Sequence, residues 1–237
     1  DGTIANTELE AHLPAFNRSF ETLGIGWFWD EKTYIDLLKI NGGKNRIAFY
    51  AKSIRQNFNK EFISEIHHEK QKHYLSLIKN GEVTLKVGVK RLINELKIKE
   101  VRQFIVTSSS RIQVTLLVDL LFGEKHPFEF FISSEDVDLH KPHPLPYLKA
   151  MSLSGIKNSN SIVFEDSIPG AKSSLAAKIP TIGVKSNIPT YFDKYNPLKC
   201  LVSTIGDNKK NTNIIKGPSL NGNYINYEYL VKFLNNY

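Results

Sequence analysis

Four places in this 237-residue chain put acidic, hydroxyl or basic side chains where chemistry needs them. Glu165-Asp166 directly follows the apolar run Ile162-Val163-Phe164. Adjacent carboxylates repel one another, and a hard divalent cation bound by oxygens resolves that conflict. An aspartate at this point can also cap the helix that begins near Ser167, so both roles stay open on the residues alone. Thr107-Ser108-Ser109-Ser110 follows Phe104-Ile105-Val106 in the same way. Hydroxyls and free N–H groups at a helix start form an anion site, although serines also simply cap helices. Lys141 precedes Pro142, which restricts the lysine backbone to extended conformations and aims its ammonium consistently. A lone lysine is ordinarily a surface residue. Asp1-Gly2-Thr3, taken alone, is a turn.

Stretches able to position these residues lie around them. Phe104–Val106, Phe130-Phe131-Ile132, Ile162–Phe164 and Thr181-Ile182-Gly183-Val184 read as short buried strands. Between them, Val114, Leu117, Val118 and Leu121, then Tyr147, Leu148 and Met151, recur at helical spacing. Strands alternating with helices imply a parallel sheet with crossover helices, and such folds bind ligands at the carboxyl ends of their strands. Residues from about 8 to 80 differ: they are helical in pattern, rich in Lys, His and aromatics, and without a buried strand. Asn80-Gly81 marks a turn before the α/β pattern resumes. The expected organisation is an α/β core of residues 1–7 and 84–237 with an inserted, all-helical segment at 8–83. The Asn- and Lys-rich tail from Asn196 carries few signals before a terminal helix over 224–237.

Composition narrows the function classes. Hydrophobic residues at 41% and charged residues at 23% suit an ordinary soluble domain. No apolar run approaches the ~20 residues of a membrane helix. The single Cys200 allows no internal disulfide, which fits a reducing compartment. The net charge of +7 does not signify nucleic-acid binding, because the lysines are scattered and no arginine-rich block occurs. A positive field of this size also steers small multiply phosphorylated ligands.

The four stretches, in this order and spacing, resemble the haloacid dehalogenase-like phosphatases. The resemblance implies a Rossmann-like parallel sheet with helices on both faces and an inserted helical cap domain. It makes Asp1 the second aspartate of the D-x-D-G-T signature: the general acid/base, with a backbone carbonyl on the metal. The nucleophilic aspartate is then expected two positions ahead of residue 1; a chain truly beginning at Asp1 is expected to bind a phospho-ligand without turnover. Ser108 would hold the transferring phosphoryl group with Ser109 supplying a backbone donor, and Thr107 is a one-residue alternative. Lys141 would offset the nucleophile's charge, and Glu165 and Asp166 would bind Mg²⁺ with Asp1. Leu145 departs from the pattern, since relatives often carry Asp there.

Substrate choice is expected in the helical segment. Asn41-Gly42-Gly43-Lys44-Asn45-Arg46 suits either a phosphate-gripping loop or an ordinary interhelical turn. The opening through His12 and Phe16-Asn17, the Trp27-Phe28-Trp29-Asp30 run and the Gly42–Arg46 loop resemble the CbbY-like subfamily. That likeness implies a xylulose-1,5-bisphosphate phosphatase, with Glu8 orienting the sugar and Lys44, Arg46 and, more weakly, Arg111 meeting the distal phosphate. A sugar phosphomutase of the beta-phosphoglucomutase type shares every core motif. His67, His68 and His73 lie among Lys and Glu and read as a solvated face. The expected setting is a cytoplasmic or plastid-stromal monomer with a small sugar phosphate as partner and no nucleic acid or membrane.

Overall fold

The computed structural model describes residues 2–40, 42–186, 188, 192 and 195–237, so Asp1 and Asn41 lie outside the described residues. The chain divides into two compact units, Asn6–Thr84 and Asp1–Ala5 with Leu85–Tyr237.

The first unit is helical. A π-helical turn, Glu8–His12, leads into α1 (Leu13–Thr22), α2 (Glu31–Leu37), α3 (Gly43–Ser53) and α4 (Lys60–Lys79). Local chemistry sets the helix starts. The Asp30 carboxylate accepts the Thr33 N–H at 2.7 Å, and the Asn59 side chain accepts that of Phe62 at 2.8 Å. Each satisfies a donor that the helix itself leaves unpaired. Helix α4 stops at Asn80-Gly81, where Gly81 has a φ of 74°. The interior is aromatic: Trp29 has ring centroids of Phe16 at 4.7 Å and Phe20 at 4.9 Å, and Trp27 lies 5.1 Å from Phe58.

The second unit alternates helix and strand: α5 (Val89–Ile98), β1 (Gln103–Val106), α6 (Arg111–Phe122), β2 (Phe128–Ile132), α7 (Leu145–Ser154), β3 (Val163–Glu165), α8 (Ile168–Ala176), β4 (Thr181–Val184), β5 (Cys200–Val202), β6 (Ile214–Lys216) and α9 (Tyr227–Asn235). Strands β1 and β2 pair in parallel, and β3, β4 and β5 form a second parallel set with β6 antiparallel at its edge. Alternation across the strands divides the core. Ile182, Val184, Cys200 and Val202 pack with residues of α5, α6 and α9. Leu201 packs instead with Ala171 of α8, and Val163 with Tyr147 of α7. Helices therefore cover both faces. The four apolar runs read as strands are β1 to β4; β5 and β6 carried no comparable signal, being three residues each in a polar tail.

Trp29 is completely buried among four aromatic neighbours of the helical unit, Phe16, Phe20, Tyr34 and Tyr50. Trp29→Ala is expected to cost that unit about 3–5 kcal/mol. Urea unfolding followed by far-UV circular dichroism reads this directly, and a loss below about 1 kcal/mol contradicts the packing described.

Candidate active site

In the α/β unit, one side chain links two strand ends. The Lys141 ammonium donates to the Val106 carbonyl, at the end of β1, at 2.9 Å, and to Glu165 Oε1, at the end of β3, at 2.5 Å. The Tyr147 hydroxyl of α7 donates to the same carboxylate oxygen. Both members of the ion pair are sheltered, with side-chain exposures of 11% and 6%. The first turn of α8 closes on Glu165 from the other side: a Cβ on Gly170 would lie 1.8 Å from Glu165 Oε2. Glycine is required there because the carboxylate occupies the space, and a helix start is a favourable place for a negative charge.

Asp166 faces a different neighbour. Its Oδ1 accepts the Thr3 hydroxyl at 2.7 Å, and a Cβ on Gly2 would come within 2.0 Å of its Oδ2. Gly2 also has a φ of 62°, so both its conformation and its surroundings demand glycine. Burial, reinforced by the charge of Glu165, pushes the Asp166 carboxyl above the usual range. The helix cap that competed with a metal role belongs to Ser167, whose hydroxyl accepts the Gly170 N–H at 3.3 Å. Asp166 thus remains a sheltered carboxylate with one neutral hydrogen-bond donor and the negative Glu165 beside it, opposed by the charge of Lys86 only in part. An oxygen-binding divalent cation fits that deficit of positive charge. Asp1, assigned to both catalysis and metal binding, lies outside the described residues.

The serines sit one step from where a helix start at Ser108 or Ser109 would put them. Ser110 is the N-cap of α6, and Gln113 closes a capping box with it. Ser108 is exposed and follows Thr107, whose hydroxyl accepts the Ser109 N–H at 3.1 Å. The Ser109 backbone donor assigned to a phosphoryl group is therefore occupied by Thr107. Arg111 is also engaged: its guanidinium donates to the Phe131 carbonyl at 2.9 Å and to Asp136 at 2.6 Å.

The helical unit holds a second polar cluster. The Tyr34 hydroxyl donates to Glu8 at 2.5 Å, Lys70 Nζ donates to His12 Nδ1 at 2.7 Å, and His12 stacks on Tyr74 at 4.4 Å. Arg46 donates to the Ile40 carbonyl at 3.0 Å, with its guanidinium 5.9 Å from the Tyr34 ring centre. Lys44 is exposed and donates to Ser64 at 3.1 Å. Burial opposes ionisation of Glu8, but His12, Arg46, Tyr34 and Lys70 together hold its carboxyl below the usual range. Lys70 is 3% exposed, and burial lowers its ammonium to about 7. Of the three histidines read as a solvated face, His68 is exposed and His73 bonds Thr22 at 2.9 Å. His67 turns inward against Gly43, and burial together with Lys70 and Lys44 lowers it to about 4. One carboxylate stands among Arg46 and Lys70 with neutral histidines between, which suits an anionic, hydroxylated ligand.

Sequence reasoning passed over Lys70 and Lys86, and it gave no site role to Thr3 or to Tyr147, which it read as one face of a helix. Only Lys70 had a usable signal: it shares the buried face of α4 with Ile66, Tyr74 and Leu77.

The family described as haloacid dehalogenase-like hydrolase matches residues 1–184. Protein CbbY of Rhodobacter capsulatus is 33% identical over 184 residues, 77% of this chain and 81% of the relative. The crystal structure of CbbY from Rhodobacter sphaeroides in complex with phosphate is 30% identical with a TM-score of 0.77. A mutant of that protein in complex with xylulose-(1,5)bisphosphate is 28% identical with a TM-score of 0.75. Each of the two covers 86% of this chain and 91% of its own. The chain belongs to the haloacid dehalogenase-like hydrolase family and has its Rossmann-like α/β fold. It is an enzyme, a phosphatase-type hydrolase similar to CbbY. Among the described residues no helix is long and apolar enough to cross a membrane.

The buried ammonium of Lys70 makes stability depend on pH. Its ordinary value is 10.5 and its folded value about 7, so between the two the unfolded chain holds a proton that the folded chain has lost. Stability contributed by this group therefore rises with pH across that window, and the full cost of burial is felt below it. Lys70→Met is expected to raise the melting temperature, relative to wild type, more at about pH 6 than at about pH 9. Loss of the His12 hydrogen bond shifts both values alike, so equal effects at the two pH values contradict the assignment.

Proposed function

We propose that this enzyme is a Mg²⁺-dependent phosphatase of small sugar bisphosphates, with xylulose-1,5-bisphosphate as substrate. The observation that carries the reading is the Lys141 ammonium, fixed between the ends of β1 and β3 and followed in sequence by Asp166 beside Gly2-Thr3. Phosphoryl transfer needs a nucleophile, an acid/base, cations against the phosphate charge and donors to hold it. In this proposal Lys141 neutralises the phosphate and the Ser108 hydroxyl binds it. Asp1 is the acid/base, protonating the leaving oxygen and then deprotonating water. The nucleophile would be the first aspartate of the D-x-D signature, expected two positions before Asp1, and it would form the aspartyl-phosphate. Asp166, with the Asp1 carbonyl, would hold the Mg²⁺, and Glu165 adjoins it. When bound, the ion supplies charge neutralisation for the phosphoryl oxygens.

The sugar bisphosphate is supported by the ligand of the CbbY mutant structure and by the chemistry of the helical unit. There Glu8 would orient a sugar hydroxyl, while Lys44 and Arg46 meet the second phosphate as part of a cap spanning 8–83. Arg111, already paired with Asp136, is a poorer choice for that task. The setting this implies is a soluble monomer in the cytoplasm or plastid stroma.

Phosphate release from xylulose-1,5-bisphosphate in Mg²⁺ tests the reading. Asp166→Ala is expected to reduce turnover by at least about 10²-fold. Wild-type turnover in that variant removes the metal assignment. Isomerised sugar phosphate without free phosphate, on supplying a monophosphate and catalytic bisphosphate, identifies a mutase instead.

A further inference from the structure

Lys86 is among the most sheltered cations of the α/β unit, at 8% exposure. Its ammonium donates to the Gly2 carbonyl at 2.7 Å and to the Lys185 carbonyl, just past β4, at 3.1 Å. Among the described residues no carboxylate forms an ion pair with it, although the charge of Asp166 acts on it from farther off. A buried charge bonded only to backbone carbonyls is costly, so its retention calls for a reason. The backbone of the same residue holds the same segment, because the Lys86 N–H donates to the Ile4 carbonyl at 2.9 Å. Gly2-Thr3 is thus gripped from two sides. On one side is Lys86; on the other is Asp166, which accepts the Thr3 hydroxyl and leaves no room for a Cβ on Gly2.

We infer that Lys86 is a positioning residue for divalent-cation binding: its ammonium fixes the Gly2 carbonyl, and through Gly2-Thr3 it sets the Asp166 carboxylate. The inference rests on the metal reading proposed above for Asp166. Position and charge act here with opposite sign. A nearby ammonium repels a divalent cation, so a lysine acting only as a counter-charge weakens binding, and its removal tightens it. A lysine that positions the segment strengthens binding, and its removal loosens it. A merely structural lysine lowers the melting temperature and leaves cation affinity unchanged.

Calorimetric titration with Mg²⁺ alone separates these cases. The variants are Lys86→Met and Lys86→Arg, the latter keeping the charge while moving the donors, with Asp166→Asn as control. Lys86→Met is expected to bind Mg²⁺ about 10–100-fold more weakly than wild type, as loss of a supporting contact does at other metal sites. Lys86→Arg should fall between the two. A folded Met or Arg variant that binds Mg²⁺ as tightly as wild type, or more tightly, overturns the inference. Wild-type binding that Asp166→Asn leaves unchanged overturns the metal reading itself, and this inference with it.

Discussion

The Lys141 ammonium is bonded at once to the last carbonyl of β1 and to the carboxylate that ends β3, and the site of the α/β unit is arranged around that link. Two consecutive carboxylates at a strand end are unstable unless their charges are separated or compensated. Here they are separated. Glu165 takes the lysine, the Tyr147 hydroxyl and the first turn of α8; Asp166 is left with Thr3. Desolvating an ion pair costs several kcal/mol per ion, and only good geometry with further hydrogen bonds repays it. Both ends of this pair have those further bonds. The result is a fixed positive charge at the carboxyl ends of parallel strands, beside a carboxylate whose own charge is under-compensated.

The helical unit meets a related problem differently. Lys70 lies among Phe16, Tyr74 and His12, with ring centres of the first two at 5.2 Å and 4.8 Å. Among the described residues no carboxylate is paired with it directly; the His12 ring nitrogen and the aromatic faces receive its ammonium, and burial lowers its affinity for the proton. In that interior Glu8 is held by the neutral Tyr34 hydroxyl, with Arg46 and Lys70 as the cations acting on it.

Much of this was legible in the sequence, for physical reasons. Strands β1 to β4 are short apolar runs bounded by turns because parallel strands are buried on both faces. Lys141 was singled out by the proline after it, and Glu165 and Asp166 by their place directly after the run Ile162–Phe164. The edge strand β6 was not visible, since Ile214-Ile215-Lys216 shows no alternation and sits among Asn and Lys. The contacts of Lys86 with Gly2 and of Thr3 with Asp166 were not visible because the partners are 84 and 163 residues away. Arg111 was the right kind of residue for a phosphate, and Asp136, 25 residues on, already occupies it. His67 shows the converse: polar neighbours in sequence, but a place against Gly43 in space.

The central claim is that Lys141 provides the fixed charge against which a phosphoryl group is transferred. Beryllofluoride mimics an aspartyl-phosphate, and fluorine NMR reports its bound form directly. Wild-type enzyme in Mg²⁺ is predicted to give protein-bound fluorine resonances that Lys141→Met, folded as judged by circular dichroism, does not. Bound resonances of equal strength in Lys141→Met and the wild type contradict the claim.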